Sequence, residues 1–221
     1  MNSADWGYEV GQVRNNEAQY YLKNDRRTAR AENGVLVLEA LKEKAGNAQY
    51  VSASLTTEKK RQFLYGRLEV RAKLPMGKGT WPAIWLLGTN IQQVGWPKCG
   101  EIDVMENVGF EPNVIHSASH TGADKNGANA GQATIDGLAT KFFVYALEWS
   151  ESSLDFFIDD AKIYSFANDH KGNVDTWPYS KPMYLILNLA IGGNWGGQQG
   201  IDDSRFPHRF YIDYVRYYTK S

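Results

Sequence analysis

A chain of 221 residues with 43% hydrophobic side chains carries enough apolar surface for a substantial core, and residues 1–221 read as one domain without a linker. The formal net charge of −1 supplies no basic field for nucleic acid, and no apolar run is long enough to span a bilayer, so neither nucleic acid nor membrane is an expected partner. The single cysteine, Cys99, excludes an internal disulfide and leaves the redox compartment unread.

In chain order, runs rich in β-branched and aromatic residues predict strands over 35–41 and 49–55. Over 67–74 the alternation is clean: Arg67, Glu69, Arg71 and Lys73 share one face, while Leu68, Val70, Ala72 and Leu74 share the other. Further strands are predicted over 81–87, 114–120, 142–149, 183–191 and 210–218. Between 154–158 and 163–166 the Asp159-Asp160 turn suits a tight hairpin. Helical periodicity is absent over any long window, and many short strands between Gly, Asn and Asp turns predict an all-β sandwich or barrel.

The segment Glu101-Ile102-Asp103-Val104-Met105-Glu106 sets three carboxylates among apolar residues. In a pleated strand Glu101 and Asp103 share a face, and strict alternation turns Glu106 to the opposite one. A β-bulge in which Val104 and Met105 together fill one ladder position returns Glu106 to the face of the other two acids. Two carboxyls held about 5–5.5 Å apart serve a retaining glycosidase, and roughly 6.5–9.5 Å an inverting one; the spacing leans only slightly to the first. In this reading Glu101 attacks an anomeric carbon, Glu106 is the general acid and base, and Asp103 hydrogen-bonds the nucleophile. The same residues also fit an acidic edge strand or a Ca²⁺ or Mg²⁺ site, although no Gly-turn loop with Asn and Asp ligands follows. Cys99, beside this strand but without a His and Asn or Asp partner set, reads as a small buried thiol.

Seven Trp and thirteen Tyr exceed what a core of this size needs, and an indole face suits the C–H face of a pyranose. Trp85, Trp96 and Trp195 are the platform candidates, each with a core role as the alternative. Trp195 lies within Gly192-Gly193-Asn194-Trp195-Gly196-Gly197, a glycine-rich loop placed to lie over a cleft. That loop lacks the Lys-Ser/Thr ending and the following helix of a phosphate loop.

The 101–106 segment resembles the bulged E-x-D-x-x-E signature of glycoside hydrolase family sixteen, as found in laminarinases. Asn15-Asn16-Glu17, Tyr65-Gly66-Arg67, Trp81-Pro82-Ala83-Ile84-Trp85, residues 188–195 and Ile212-Asp213-Tyr214-Val215-Arg216 are similar to other family segments in the expected order. The resemblance implies a jelly-roll β-sandwich of two antiparallel sheets, concanavalin-like, with a concave cleft and with Glu101 as nucleophile, Asp103 as assisting acid and Glu106 as acid/base. It also implies Asn16, Arg67 and Asn188 as substrate contacts and His120 as a donor to the acid/base, with a cross-strand ion pair the alternative for Arg67 and a structural role the alternative for His120. No cofactor is expected for catalysis; such enzymes often carry a structural calcium, for which Asp213 and the Gly34 backbone remain as candidate ligands, with a fold stable without it as the alternative. The chain opens inside the family pattern, so an N-terminal edge strand is expected to be missing. The implied activity is endo-hydrolysis of β-1,3-glucan or mixed-linkage β-1,3-1,4-glucan by a secreted or cell-surface monomer. A non-catalytic, lectin-like sandwich and a relative acting on agarose or carrageenan are the alternatives.

Overall fold

The computed structural model describes residues 2–124 and 129–219. In chain order the first strands are β1 (Gly7–Tyr8), β2 (Gln19–Tyr21), β3 (Ala29–Glu32), β4 (Val35–Ala40), β5 (Tyr50–Ser52), β6 (Ser54–Thr56), β7 (Gly66–Lys73) and β8 (Thr80–Gly88). A short helix, α1 (Ile91–Val94), precedes β9 (Glu101–Glu106), β10 (Val114–His120), β11 (Asn129–Thr134) and β12 (Phe143–Trp149). The last strands are β13 (Ser153–Ile158), β14 (Ala161–Ala167), β15 (Met183–Ile191) and β16 (His208–Tyr218).

Two seven-stranded antiparallel sheets form the sandwich, one in the order β1-β6-β15-β8-β9-β10-β11 and the other β14-β13-β12-β7-β16-β4-β3. Leu68, Val70 and Ala72 of β7 face Ile84 and Leu86 of β8, Ile102 and Met105 of β9, and Leu185, Leu187 and Leu189 of β15 across one continuous core. Each Val, Leu, Ile or Met among them, fully buried, contributes about 1.5–3 kcal/mol. The charged residues of β7 point outward, as the alternation predicts. In β15 every residue is buried, because Tyr184 and Ile186 join Trp85, Leu87 and Cys99 in a second apolar cluster on the outer face of the first sheet. That strand therefore reads as a continuous apolar run instead of an alternating one.

The run over 49–55 is not one strand. Ala53 separates β5, which pairs in parallel with β2, from β6, which bridges β1 and β15. All six strand residues are buried, so no alternation marks the change of partner. The edge strands β3 and β11 lack an apolar period and were not legible. Among the described residues no helix is long and apolar enough to cross a membrane.

Candidate active site

The bulge in β9 is present. Asp103 stands opposite Trp85 of β8, Met105 stands opposite Ile84, and Val104 has no ladder partner between them. On the other side, His116 pairs with Glu106 and Ala118 with Asp103, which leaves Ser117 facing the kink. Its Oγ donates to the Val104 carbonyl at 2.9 Å, satisfying an acceptor that the interrupted ladder would leave buried. Val104 and Met105 both sink into the core, so the next side chain, Glu106, emerges beside Asp103 on the outer face of the first sheet. Glu101 and Glu106 oppose His120 and His116, four ladder steps apart, so the carboxyls converge only by leaning together.

Each acid has its own surroundings. Glu101 accepts from Trp96 Nε1 at 3.1 Å and lies 3.7 Å from His120 Nε2. Asp103 is 3% exposed, and its Oδ2 is 3.1 Å from His120 Nε2 but receives no well-aligned hydrogen bond. Glu106 accepts from Trp81 Nε1 at 2.9 Å. Burial pushes Asp103 up to about 8. Burial, with Asp103 and Glu17 adding to it, brings Glu106 to about 8 against the opposing pull of the Trp81 N–H and His120. Glu101 is also held well above the ordinary carboxylate range, first by burial and then by Asp103 and Glu106, while His120 and Arg14 favour its ionised form. Three carboxyls in one low-dielectric pocket cannot all ionise near neutrality, so the group shares protons. Trp96 Nε1 and His120 lie against Glu101 and favour its ionised form, as Trp81 Nε1 does for Glu106.

The surrounding wall comes from distant parts of the chain. Asn15 and Asn16 both take positive φ (56° and 52°), and Asn16 Nδ2 reaches Asn194 Oδ1 at 2.9 Å. Gly193, at φ 78°, lies so close that an added Cβ would stand 3.1 Å from both Asn15 O and Glu17 Cγ. Only glycine lets the loop close there. The same loop packs Trp195 edge-on against Trp81 (5.6 Å between centroids) and His116 (4.8 Å). Glu17 is 4% exposed and accepts from Gln19, Tyr21 and Asn15.

Several sequence expectations need correction. Arg67 lies on the second sheet, pairs with Glu69 (2.8 Å) and Glu148 (2.9 Å), and does not enter the cleft, because β7 belongs to the opposite layer. His120 faces Asp103 and Glu101 rather than Glu106, since the antiparallel register sets it opposite Glu101. Trp85 is 6% exposed, with the Arg14 guanidinium 4.8 Å above its ring, so its face is not open to sugar. Asn188 is buried and supports the floor, accepting from Trp85 Nε1 at 2.7 Å and donating to the Tyr21 hydroxyl at 3.1 Å. Trp96, 57% exposed beside Glu101, and the half-buried Trp195 are the platform candidates that border the acids. Cys99 is buried as expected, its thiol pushed up to about 11 by burial and the Glu101 charge.

The calcium expectation does not fit this donor set. Asp213 occupies a bulge in β16 and its Oδ2 is taken by Arg71 Nη1 at 2.5 Å, so a divalent cation there would adjoin a guanidinium. Gly34 offers only a backbone carbonyl in the β3–β4 turn. Among the described residues, the one group of His, Cys, Asp and Glu side chains close enough to share an ion is Glu101, Asp103 and His120. Trp81, which binds Glu106, carries a sequence signal of its own, since the two-residue period sets it on the same face as Trp85. Arg14, Glu9 and His116 carried no sequence signal, because only the fold brings them here.

The family model for glycosyl hydrolases family 16 matches residues 5–216. A β-glucanase of Rhodothermus marinus is 43% identical over 225 residues, covering 96% of this chain and 78% of the relative. The solved laminarinase from Rhodothermus marinus superposes with a TM-score of 0.95 at 41% identity, over 99% of this chain and 91% of that one. SCLam, a non-specific endo-β-1,3(4)-glucanase, superposes with a TM-score of 0.93 at 41% identity, over 100% of this chain and 86% of that one.

Proposed function

Because the chain belongs to glycosyl hydrolase family 16, we propose that its cleft cuts β-1,3-glucan and mixed-linkage β-1,3-1,4-glucan within the chain, with retention of the anomeric configuration. The observation that carries the reading is the bulge at Val104, which turns Glu101, Asp103 and Glu106 to one face.

Glu106 carries a proton at neutral pH, because burial and the neighbouring acids hold it near 8, and it delivers that proton to the leaving glycosidic oxygen. Glu101, with Trp96 and His120 against its oxygens, attacks the anomeric carbon as the bond breaks and forms a glycosyl ester. Asp103 holds a proton between them and hydrogen-bonds Glu101, which keeps the pocket to one net charge as the ester forms and is cleaved. Glu106, now a carboxylate, takes a proton from water, which attacks the ester and releases the sugar with its original configuration. Trp96 on the Glu101 side and Trp195 on the Glu106 side flank the cut bond. An enzyme of this kind meets its polymeric substrate outside the cytoplasm and needs neither a cofactor nor a second subunit for these steps.

Glu101→Ala and Glu106→Gln should each abolish reducing-sugar release from laminarin and lichenan while leaving glucan binding intact, and NMR of early products should show the β-anomer first. Unchanged turnover in both variants refutes the assignment of roles, and an initial α-anomer refutes retention.

A further inference from the structure

Arg14 pairs with Glu9 and with none of the three catalytic acids, although its charge favours ionised Glu101, and it lies on the outer face of the catalytic sheet. Its guanidinium carbon is 4.8 Å from the centre of the Trp85 ring. Glu9 holds one of its edges, and Glu9 is itself fixed by Ser54 Oγ, which donates to it at 2.6 Å. The Arg14 side chain is 21% exposed while Trp85 is 6% exposed, so the cation covers the ring from the cleft side.

Trp85 cannot swing clear of this cover. Its Nε1 is bound to Asn188, which is bound in turn to the buried Tyr21, and its neighbours are Leu87, Cys99, Tyr184 and Ile186. Its ladder partners are Asp103 of β9 and Ile186 of β15, so the ring sits next to the acids on the β15 side of the sheet. A glucan running across the strands from β9 toward β15 would bring the adjoining sugar unit over this ring. A planar guanidinium stacked on indole is a favourable contact, and it occupies the same π face that a pyranose would use. The two consecutive positive-φ residues, Asn15 and Asn16, bend the backbone directly after Arg14, and the Asn15 carbonyl accepts from the Asn194 N–H at 2.9 Å, which ties the segment to the loop after β15.

We propose that Arg14 is a specificity-determining residue: clamped by Glu9, it caps Trp85, withdraws one stacking platform from the β8–β15 side of the cleft, and shortens the run of glucosyl units that the protein grips. The inference rests on the β-glucan reading. It assigns Arg14 the part of a lid on an existing aromatic surface, which differs from a direct sugar contact in the sign of its effect.

The test uses linear β-1,3-glucan oligosaccharides of increasing length, titrated by calorimetry into Glu101→Ala protein so that no hydrolysis occurs. The comparison is Arg14→Ala combined with Glu9→Gln, which avoids leaving a lone carboxylate, and separately Arg14→Lys, which keeps the charge without the flat cap. In the Arg14→Ala/Glu9→Gln protein, affinity should keep rising for one glucosyl unit beyond the length at which it levels off with Arg14 present. The gain for the longest ligands should be roughly three- to tenfold, the scale of one aromatic stacking contact. Arg14→Lys should fall between, and it carries the comparison if the double substitution melts early. Superimposable curves overturn the inference and leave Arg14 a structural role; weaker binding at every length also overturns it and makes Arg14 a sugar contact. Reducing-sugar release from β-glucans by the unsubstituted chain is scored alongside. Its absence overturns the β-glucan reading and this inference together, whereas turnover with unchanged curves overturns the inference alone.

Discussion

Replacing Trp81 by Phe removes one N–H from Glu106 while keeping an aromatic ring against Trp195. That N–H, 2.9 Å from Oε1, stabilises the ionised carboxyl and holds Glu106 lower than burial alone would. A hydrogen bond to a charged group contributes about 1.5–3 kcal/mol. At 1.36 kcal/mol for each pKa unit that corresponds to about one to two units, and Trp81 is half-buried, so the lower end applies. The sign is fixed by the role: Glu106 must be protonated to act first, so raising its pKa extends activity toward alkaline pH. The alkaline limb of kcat/KM, which reports the free enzyme, should move upward by about one pH unit in Trp81→Phe. The acidic limb should move less, since the lost bond touches only Glu106. An alkaline limb that stays in place or moves to lower pH would refute the reasoning, and with it the pairing of Trp81 and Glu106 in solution.

The raised acids also bear on stability. Glu106 and Asp103 titrate near 8 in the folded chain and in the ordinary carboxylate range when unfolded, so their contribution is full at acidic pH and is lost as pH rises toward 8. The fall in Tm between pH 5 and pH 8 should therefore shrink in Glu106→Gln, and an equally steep fall would count against the shift. Arg67→Ala should leave kcat/KM on laminarin within about twofold and cost at most about 1 kcal/mol, because its ion pairs lie on the far sheet and are partly exposed; a large loss of turnover would return Arg67 to the cleft. Asn188→Leu strands the buried Trp85 N–H and should lower stability in urea by about 1–3 kcal/mol, with an unchanged midpoint as the contrary result. A calcium chelator should leave Tm unmoved, because Arg71 already neutralises Asp213, and a clear drop would restore a bound ion.

The sequence by itself determined the sandwich and the catalytic strand, because both are local. The two-residue period of β7 and the apolar run of β15 are printed in the order of side chains, and the bulge follows from three acids that one face must hold together. Residues 49–55 escaped because burial on both faces erases the period that distinguishes one sheet from the other. Only the tertiary structure decided what surrounds the acids. Arg67 and His120 each lie on a correctly read strand, but the layer of one and the partner of the other depend on which strands pair and in what register. Arg14 reaches Trp85, and Glu17 the neighbourhood of Glu106, across contacts far apart in the chain; Glu17 lies in a family-like segment, but nothing in the local pattern states the surroundings of either residue. Alternation fixes which side of a strand a residue takes, whereas the occupants of the space beyond that side are set by the packing of the whole chain.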